Sequence, residues 1–192
     1  AGAYVGDTIA YMGQPGIHTR FVHLYLNGLY WGLYHLGERP DAGYADEYLD
    51  GKKSDFDVLK HAGTAELEVV DGDRAAWDAM VAIAARGLQN ASNYAAIQGY
   101  LDLPAFADYL IANMHSGNGD WPQKNWYAVR KRAQGEPFRF FCWDGDAVLG
   151  LVSTNINKTT FATTNTPAYL YDRLTDNSEF LQLFGDRIQS LV

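Results

Sequence analysis

A chain of 192 residues is long enough for one domain with a buried core or for two small lobes. Its formal net charge of −8 argues against non-specific nucleic-acid binding, which needs a basic surface. The single cysteine, Cys142, excludes an internal disulfide, and no apolar run reaches the roughly 20 residues of a membrane helix.

The first clear structural signal is a β-hairpin. Apolar and aromatic residues run on both sides of Asn27 and Gly28, two residue types that tolerate the positive φ of a tight turn. We therefore predict paired strands over residues 21 to 26 and 29 to 36. Gly32 inside the second strand indicates a bulge or a close approach by another group.

Two charged residues stand at the ends of predicted strands. Glu38 follows the hairpin, and Lys60 lies near the end of a short strand predicted over residues 56 to 61. Between them, residues 43 to 50 have the pattern of a short helix. A charged residue at a strand end is often a solvated surface group, so the pattern alone leaves that alternative open.

Helices dominate the rest of the chain. Apolar residues at helical spacing predict helices over residues 74 to 89, 93 to 100, 103 to 114 and 170 to 192, the last with a break at 176 to 178. We expect these helices to begin at the capping residues Asp73, Ser92, Asp102 and Ser178, with Asn90 as a stop signal.

Two acidic loops follow the third predicted helix, and a second hairpin joins them. The first loop carries Asp120 and Asn125, and the second carries Asp144 and Asp146. The hairpin strands are predicted over residues 126 to 131 and 138 to 143. A loop rich in Thr and Asn, residues 151 to 167, follows, and we expect it to lie near the same site.

The order of these loops is typical of phosphoryl-transfer enzymes of the protein-kinase type. One Asp takes the proton of the attacking hydroxyl, while an Asn and a second Asp after a short hairpin hold magnesium against the phosphates. Hard oxygen ligands of this kind suit magnesium or manganese. Each Asp or Asn alone would more often be a turn residue, because its side chain bonds nearby backbone.

Four segments carry a resemblance to a known family. VHLYLNGLYWGLYHLGERPD, GNGDWPQKNWYAVRK, FFCWDGDAVLG and RLTDNSEFLQLFGDRI resemble the CotH kinase family, the spore coat protein H-like atypical protein kinases. The resemblance implies an α+β fold of the atypical protein-kinase type, with a β-hairpin-rich N-terminal part and a helical C-terminal part. It also implies an enzyme that uses ATP with Mg²⁺ or Mn²⁺ to phosphorylate Ser or Thr of a protein substrate.

The resemblance assigns roles to individual residues. Asp120 matches the catalytic Asp of the family, and Asp144 matches its metal-binding Asp. Asn125 matches a second metal ligand, and Asp146 would assist at the metal. Glu38 and Lys60 match positions near the nucleotide. Gly145 stands where Leu is usual and Cys142 where Pro is common, and neither change removes a charged group.

The resemblance also bears on organisation and location. We expect residues 1 to 192 to form a single kinase-like domain that is a piece of a longer protein, without the upstream strands of the N-lobe. Residues 1 to 64 would form its N-lobe-like β part and residues 65 to 192 its C-lobe-like part. The family implies a secreted, cell-surface or spore-coat protein that acts on another protein. From the net charge and the lack of a long apolar run, we expect neither a nucleic-acid partner nor a membrane segment in this chain.

Two other function classes fit the same residues. A kinase-like scaffold rich in Trp and Tyr could bind a protein or a glycan without catalysis, and it would show no metal-dependent affinity for ATP. A glycoside hydrolase could use Asp120 with Asp144 as its carboxylate pair, although Asn125 would then have no role.

Overall fold

The computed structural model describes residues 2–62, 66–150 and 163–190, and within these ranges the fold is α+β. The helices are α1 (Gly2–Tyr11), α2 (Ala42–Tyr48), α3 (Ala75–Ala85), α4 (Ala91–Ile97), α5 (Leu103–His115), α6 (Pro167–Leu174) and α7 (Ser178–Gln189). The strands are β1 (Thr19–Leu26), β2 (Leu29–Gly37), β3 (Phe56–Ala62), β4 (Leu67–Asp71), β5 (Lys124–Lys131) and β6 (Arg139–Cys142). None of the helices in these ranges has both the length and the apolar character needed to cross a membrane.

The predicted first hairpin is confirmed as a separate two-stranded sheet, β1–β2. Asn27 and Gly28 form its turn with φ values of 51° and 81°, the left-handed conformation that makes this pair a good hairpin turn. Strand β1 pairs with β2 in antiparallel register, which shifts between Leu24 and Tyr25. Gly32, with φ of 128°, lies opposite Leu24 beside this irregularity, so the predicted bulge is confirmed.

A second sheet of four antiparallel strands, in the order β4-β3-β5-β6, forms the centre of the molecule. It includes the second predicted hairpin, in which Trp126 of β5 lies opposite Cys142 of β6. Because β3 pairs with both β4 and β5, the sheet joins residues from both sides of position 64, the predicted boundary between the two parts.

Apolar side chains cover both faces of this sheet. On one face the sheet packs against the C-terminal helices in a large core that includes Trp77, Phe106, Tyr109, Trp126 and Phe140. On the other face a smaller cluster joins the sheet to α2; it contains Ala42, Tyr44, Ala45, Phe56, Val58, Tyr127, Val129 and Phe141. The sheet therefore has a fixed orientation, and its loops project from a rigid base.

Several predicted helix ends need correction. Helix α3 ends at Ala85 instead of residue 89, since Gly87 with φ of 90° turns the chain away. Asn90 begins α4 instead of ending α3, and its side chain accepts hydrogen bonds from the next helical turn. Asn177 likewise replaces the predicted Ser178 as the cap of α7, whereas the Asp102 cap of α5 is confirmed.

A buried ion pair ties the terminal helices to α5. Arg187 of α7 donates two hydrogen bonds, of 2.7 and 2.6 Å, to the carboxylate of Asp108, which is fully buried in α5. Gln14, which follows α1, donates a third bond of 2.7 Å to the same carboxylate. The three groups hold the helix that leads into the first acidic loop.

Candidate active site

The structure brings the two acidic loops side by side. The first loop is residues 116 to 125 and the second is residues 143 to 149. Backbone hydrogen bonds join them, because Gly119 N–H donates to the carbonyl of Ala147 across 2.9 Å and Leu149 N–H donates to the carbonyl of Ser116 across 2.7 Å. At the other end, Trp143 N–H donates to the carbonyl of Asn125 across 3.0 Å.

Two buried asparagines support Asp120 from the core. Asn118 donates from its side-chain amide to Oδ1 of Asn113 in α5 across 2.8 Å, and its own Oδ1 accepts the Asp120 N–H across 3.3 Å. Asn113 also donates to Sγ of Cys142 in β6 across 3.1 Å. The main chain of Asp120 is therefore connected to both the helix and the strand that flank the loop.

The carboxylate of Asp120 faces solvent beside a cation. Lys124 Nζ lies 3.1 Å from Asp120 Oδ2, and the two side chains are 46% and 38% exposed, respectively. Next to them, the peptide bond between Trp121 and Pro122 is cis. Trp121 is fully buried, and its indole N–H donates to the Tyr109 hydroxyl across 2.6 Å. The loop thus presents a partly exposed acid on a buried base.

The second loop presents Asp144 and Asp146 at the surface. Asp144 and Asn125 both have left-handed backbones, with φ values of 49° and 65°, which Asp and Asn adopt more readily than most residues. The Asn125 side-chain amide donates to the main-chain oxygen of Asp144 across 3.1 Å. Asn125 lies at the start of β5, and Asp144 and Asp146 follow β6, the strand that pairs with β5.

These donors fit a hard divalent cation in their chemistry, since each offers oxygen. Within the described ranges, no group of three His, Cys, Asp or Glu side chains is arranged to hold a metal ion. The metal ligands predicted from the sequence are two carboxylates, Asp144 and Asp146, and one amide, Asn125.

A cavity of about 370 Å³ opens beside the second loop, a size within the range of small-molecule pockets. It lies between α1, the base of the first hairpin and the loop, and both Asp144 and Asp146 line it. A neighbouring cavity of about 380 Å³ shares Thr19, Leu36 and Gly37 with it and extends to Glu38. The two cavities thus share the base of the first hairpin, with the second loop in one and Glu38 in the other.

The carboxylate of Glu38 already has hydrogen-bond partners in the second cavity. Its carboxylate accepts hydrogen bonds from the Tyr48 hydroxyl across 2.6 Å and from the main-chain N–H of His18 across 3.2 Å, and it lies 2.7 Å from His18 Nδ1. Burial raises the pKa of Glu38, but the hydrogen bonds from Tyr48 and His18 outweigh it and lower the pKa below 4.5.

Lys60 forms its ion pair with a residue other than Glu38. Its Nζ is 3.2 Å from Glu68 Oε1 of β4 and 6.0 Å from the centre of the Tyr127 ring. Tyr127 in turn contacts Trp143 edge to face, directly before Asp144. The Lys–Glu ion pair of protein kinases is thus not formed between Lys60 and Glu38 in this structure.

Sequence patterns did not reveal the supporting groups of the site. Asn118 stands in the sequence context of a turn residue, although the structure buries it. The predicted loop after Asp146 lies largely outside the described residues, which resume at residue 163. Before the structure was known, only the position of Asn118 between two glycines, in GNG, could have drawn attention to it.

Backbone hydrogen bonds join the two acidic loops, and Asn118 ties the first of them to α5. A sequence model of the family described as CotH kinase protein matches residues 7–192, so the chain belongs to the CotH kinase family. A search of curated proteins finds no match. Family membership supports a kinase-type function, and enzymes of this class use ATP with a divalent metal ion.

Proposed function

We propose that this protein is an ATP-dependent atypical protein kinase that requires Mg²⁺ or Mn²⁺ and phosphorylates Ser or Thr of a protein substrate. The observation that carries the proposal is the backbone pairing of the two acidic loops, which keeps Asp120 close to the loop of Asp144 and Asp146. The cavity beside the second loop supports it, since a nucleotide there would lie against both carboxylates.

Asp120 is the group that accepts the hydroxyl proton in this proposal. Its carboxylate is partly exposed, so a Ser or Thr side chain can reach it, and the Asn118 bond fixes its backbone. Lys124 places a positive charge 3.1 Å from the same carboxylate. A cation at that position stabilises the negative charge of a phosphoryl group during transfer.

Asp144, Asn125 and Asp146 are the groups that would hold the metal ions. When bound, the metal supplies charge neutralisation on the triphosphate. Glu38 lines the second cavity, and we assign it a place beside the nucleotide. Lys60 lies over Tyr127, whose ring contacts Trp143, and we assign it the same neighbourhood.

Thermal melting tests the nucleotide and metal site. ATP with Mn²⁺ should raise the melting temperature, because a ligand at about 100 times its Kd stabilises a native protein by about 2.7 kcal/mol. The shift should vanish in Asp144→Ala and remain in Asp186→Ala, a matched loss of one exposed Asp on α7. An equal shift in both variants would contradict the assignment of Asp144.

Phosphate transfer tests the catalytic assignment. With labelled ATP and a Ser/Thr-containing protein acceptor, Asp120→Asn should lose transfer by roughly a hundredfold or more, since it removes the general base. Its melting shift with ATP and Mn²⁺ should remain. Undiminished transfer in Asp120→Asn would overturn the role of Asp120, and phosphotyrosine as the product would overturn the Ser/Thr specificity.

A non-catalytic binding module is the second candidate, and the first hairpin is the observation that favours it. Several of its large side chains are 45% exposed or more: Phe21, Tyr25, Leu26, Leu29, Tyr30, Trp31, Leu33, Tyr34 and Leu36. A protein that binds partners or glycans through this surface would show no melting shift with ATP and Mn²⁺. The family name points to the spore coat, so a secreted or coat location belongs to either proposal.

A further inference from the structure

An arginine lies over the tryptophan that begins the second acidic loop. Arg39 follows the first hairpin, and its Cζ lies 5.8 Å from the centre of the Trp143 ring. Trp143 directly precedes Asp144, and it lines the cavity that Asp144 and Asp146 also line. The contact between cation and ring therefore holds a positive charge beside the loop that carries two of the proposed metal ligands.

The guanidinium of Arg39 has no ion pair or hydrogen bond in the part of the chain that the structure describes. Its side chain is exposed, so a ligand can reach it. Lys60, by contrast, is paired, since its Nζ lies 3.2 Å from Oε1 of Glu68. The planar fork of an arginine matches two oxygens of a phosphate, and an aromatic ring beside it supports that plane. Arg39 thus has the charge and the access that an anion-binding residue needs.

The neighbouring tyrosine has an unused hydrogen-bond donor. Tyr127 of β5 is 2% exposed, and its ring meets the Trp143 ring edge to face with centroids 5.8 Å apart. Its hydroxyl makes no hydrogen bond within the described residues. In those ranges Nδ1 of His61 is the one polar side-chain atom that is both fully enclosed and without a partner, so the Tyr127 hydroxyl reaches the surface. A nearly buried hydroxyl without a partner is suited to donate to a ligand.

Positive charges surround the Tyr127 ring. Lys60 lies opposite Tyr127 in the β3–β5 pairing, and its Nζ is 6.0 Å from the centre of the ring. Burial raises the pKa of Tyr127, and the charges of Lys60 and Arg39 oppose that shift. Glu68 and Asp41 act in the other direction. Both carboxylates already have donors, because Glu68 pairs with Lys60 and Asp41 caps α2.

We propose that Arg39 and the Tyr127 hydroxyl bind a phosphate group of the nucleotide, an inference that deepens the proposed kinase function and rests on it. The phosphate would accept two hydrogen bonds from the fork of Arg39 and one from Tyr127, with Lys60 adding positive charge. We assign the nucleotide as the source of the phosphate because Trp143 belongs both to this site and to the cavity beside the second loop.

Calorimetry with tripolyphosphate tests the site without the adenosine part of the ligand. Arg39→Gln should weaken the binding of tripolyphosphate and of ATP, each with Mn²⁺, by roughly ten- to hundredfold, since it removes hydrogen bonds to a charged group. Arg39→Lys should recover only part of the loss, because Lys lacks the planar fork. Arg86→Gln, at an exposed arginine that ends α3, is the control and should bind both ligands as wild type does.

Tyr127→Phe separates the hydroxyl from the packing of the ring. We expect both ligands to bind roughly three- to tenfold more weakly, as for the loss of one neutral hydrogen-bond donor. Urea unfolding without ligand should show no loss of stability, because the hydroxyl gives up no hydrogen bond within the described residues. Wild-type affinity for both ligands in Tyr127→Phe would remove Tyr127 from the site.

A purely structural role of Arg39 would give a different result. If its guanidinium only held Trp143 and the second loop in place, Arg39→Gln would weaken the binding of Mn²⁺ alone as much as that of tripolyphosphate with Mn²⁺. Titration of Mn²⁺ followed by electron paramagnetic resonance measures the first affinity, which we expect to be equal in Arg39→Gln and wild type. A parallel loss would overturn the inference, and so would wild-type affinity for tripolyphosphate in Arg39→Gln.

The remaining outcomes separate this site from the kinase proposal. If wild type binds both ligands through Arg39 but transfers no phosphate, the kinase proposal fails and the phosphate site stands. If wild type transfers phosphate and Arg39→Gln has an unchanged KM for ATP, the phosphate site fails and the kinase proposal stands. Binding of O-phosphoserine that Arg39→Gln abolishes, together with unchanged affinity for ATP, would assign the site to a phosphorylated protein and overturn the nucleotide as its ligand.

Discussion

The side-chain amide of Asn125 donates a hydrogen bond to the main-chain oxygen of Asp144, and both residues have positive φ. A bond in the other direction runs beside it, from Trp143 N–H to the Asn125 carbonyl. The residue that ends the first loop therefore also sets the conformation at which the second loop begins. Asn combines a tolerance for this backbone with an amide that can reach the neighbouring loop.

Substitution of Asn125 separates these two properties. Asn125→Gly keeps the left-handed backbone and loses the amide, while Asn125→Ala loses the amide and adds about 1–2 kcal/mol of backbone strain. Both variants should lose most of the melting shift with ATP and Mn²⁺, and urea unfolding should show Asn125→Ala to be the less stable by that amount. A full shift in Asn125→Gly would exclude the amide from the metal site.

The ion pair between Arg187 and Asp108 should matter far more to stability than a surface pair. Arg187→Leu leaves the fully buried Asp108 carboxylate without its main partner, at a cost of about 3–5 kcal/mol. The control is Arg173→Leu, because Arg173 and Asp172 are 40% and 38% exposed, and its cost should stay below about 1 kcal/mol. Equal urea midpoints for the two variants would contradict this prediction.

Tyr48 should influence the titration of Glu38. The folded pKa of Glu38 lies below 4.5, so its interactions stabilise the native state above that pH and lose their effect as the pH falls through the folded value. In Tyr48→Phe the pKa of Glu38 should rise toward 4.5, as measured by NMR titration. Tyr11→Phe, at a tyrosine that is 86% exposed, should leave it unchanged.

The single thiol should report on unfolding. Burial raises the pKa of Cys142 to about 12, although the hydrogen bond from Asn113 opposes the shift. Iodoacetamide at about pH 8 should therefore label native protein very slowly and follow the unfolded fraction in urea, since the thiolate is the nucleophile. Rapid labelling without urea would contradict a half-buried thiol that stays protonated in the native state. Stability should also decline as the pH rises above 9.0, where only the unfolded thiol ionises.

Local signals predicted the elements whose stability is local. The residue types of Asn27 and Gly28 are enough to predict their turn, and Asp102 is enough to predict the start of α5. Strand β4 was not predicted, because Leu67–Asp71 is short, with two adjacent valines that break the alternation of a strand, and it is a strand through its pairing with β3. Asn90 shows the same limit, since a single Asn is as suitable to begin a helix as to follow one.

The candidate site was likewise predicted in part and missed in part. The order of Asp120, Asn125 and Asp144 along the chain indicated neighbouring loops, and the structure places those loops side by side. The partners of Glu38 and Lys60 were not predicted. His18 meets Glu38 through the register of the β1–β2 hairpin, and Glu68 meets Lys60 from β4, a strand that was itself not predicted. Asn118 was also missed, because its role depends on burial and on its hydrogen bonds to Asn113 and Asp120.

The first hairpin has a thermodynamic consequence for any ligand of the cavity beside the second loop. Its two strands form a sheet of their own, and a two-stranded sheet is at best marginally stable by itself in water. One wall of the cavity is the base of this hairpin, and another is the loop of Asp144 and Asp146. A molecule bound between them gains contacts only while the hairpin is in place. Ligand affinity and hairpin order are therefore coupled, and each strengthens the other by the same free energy.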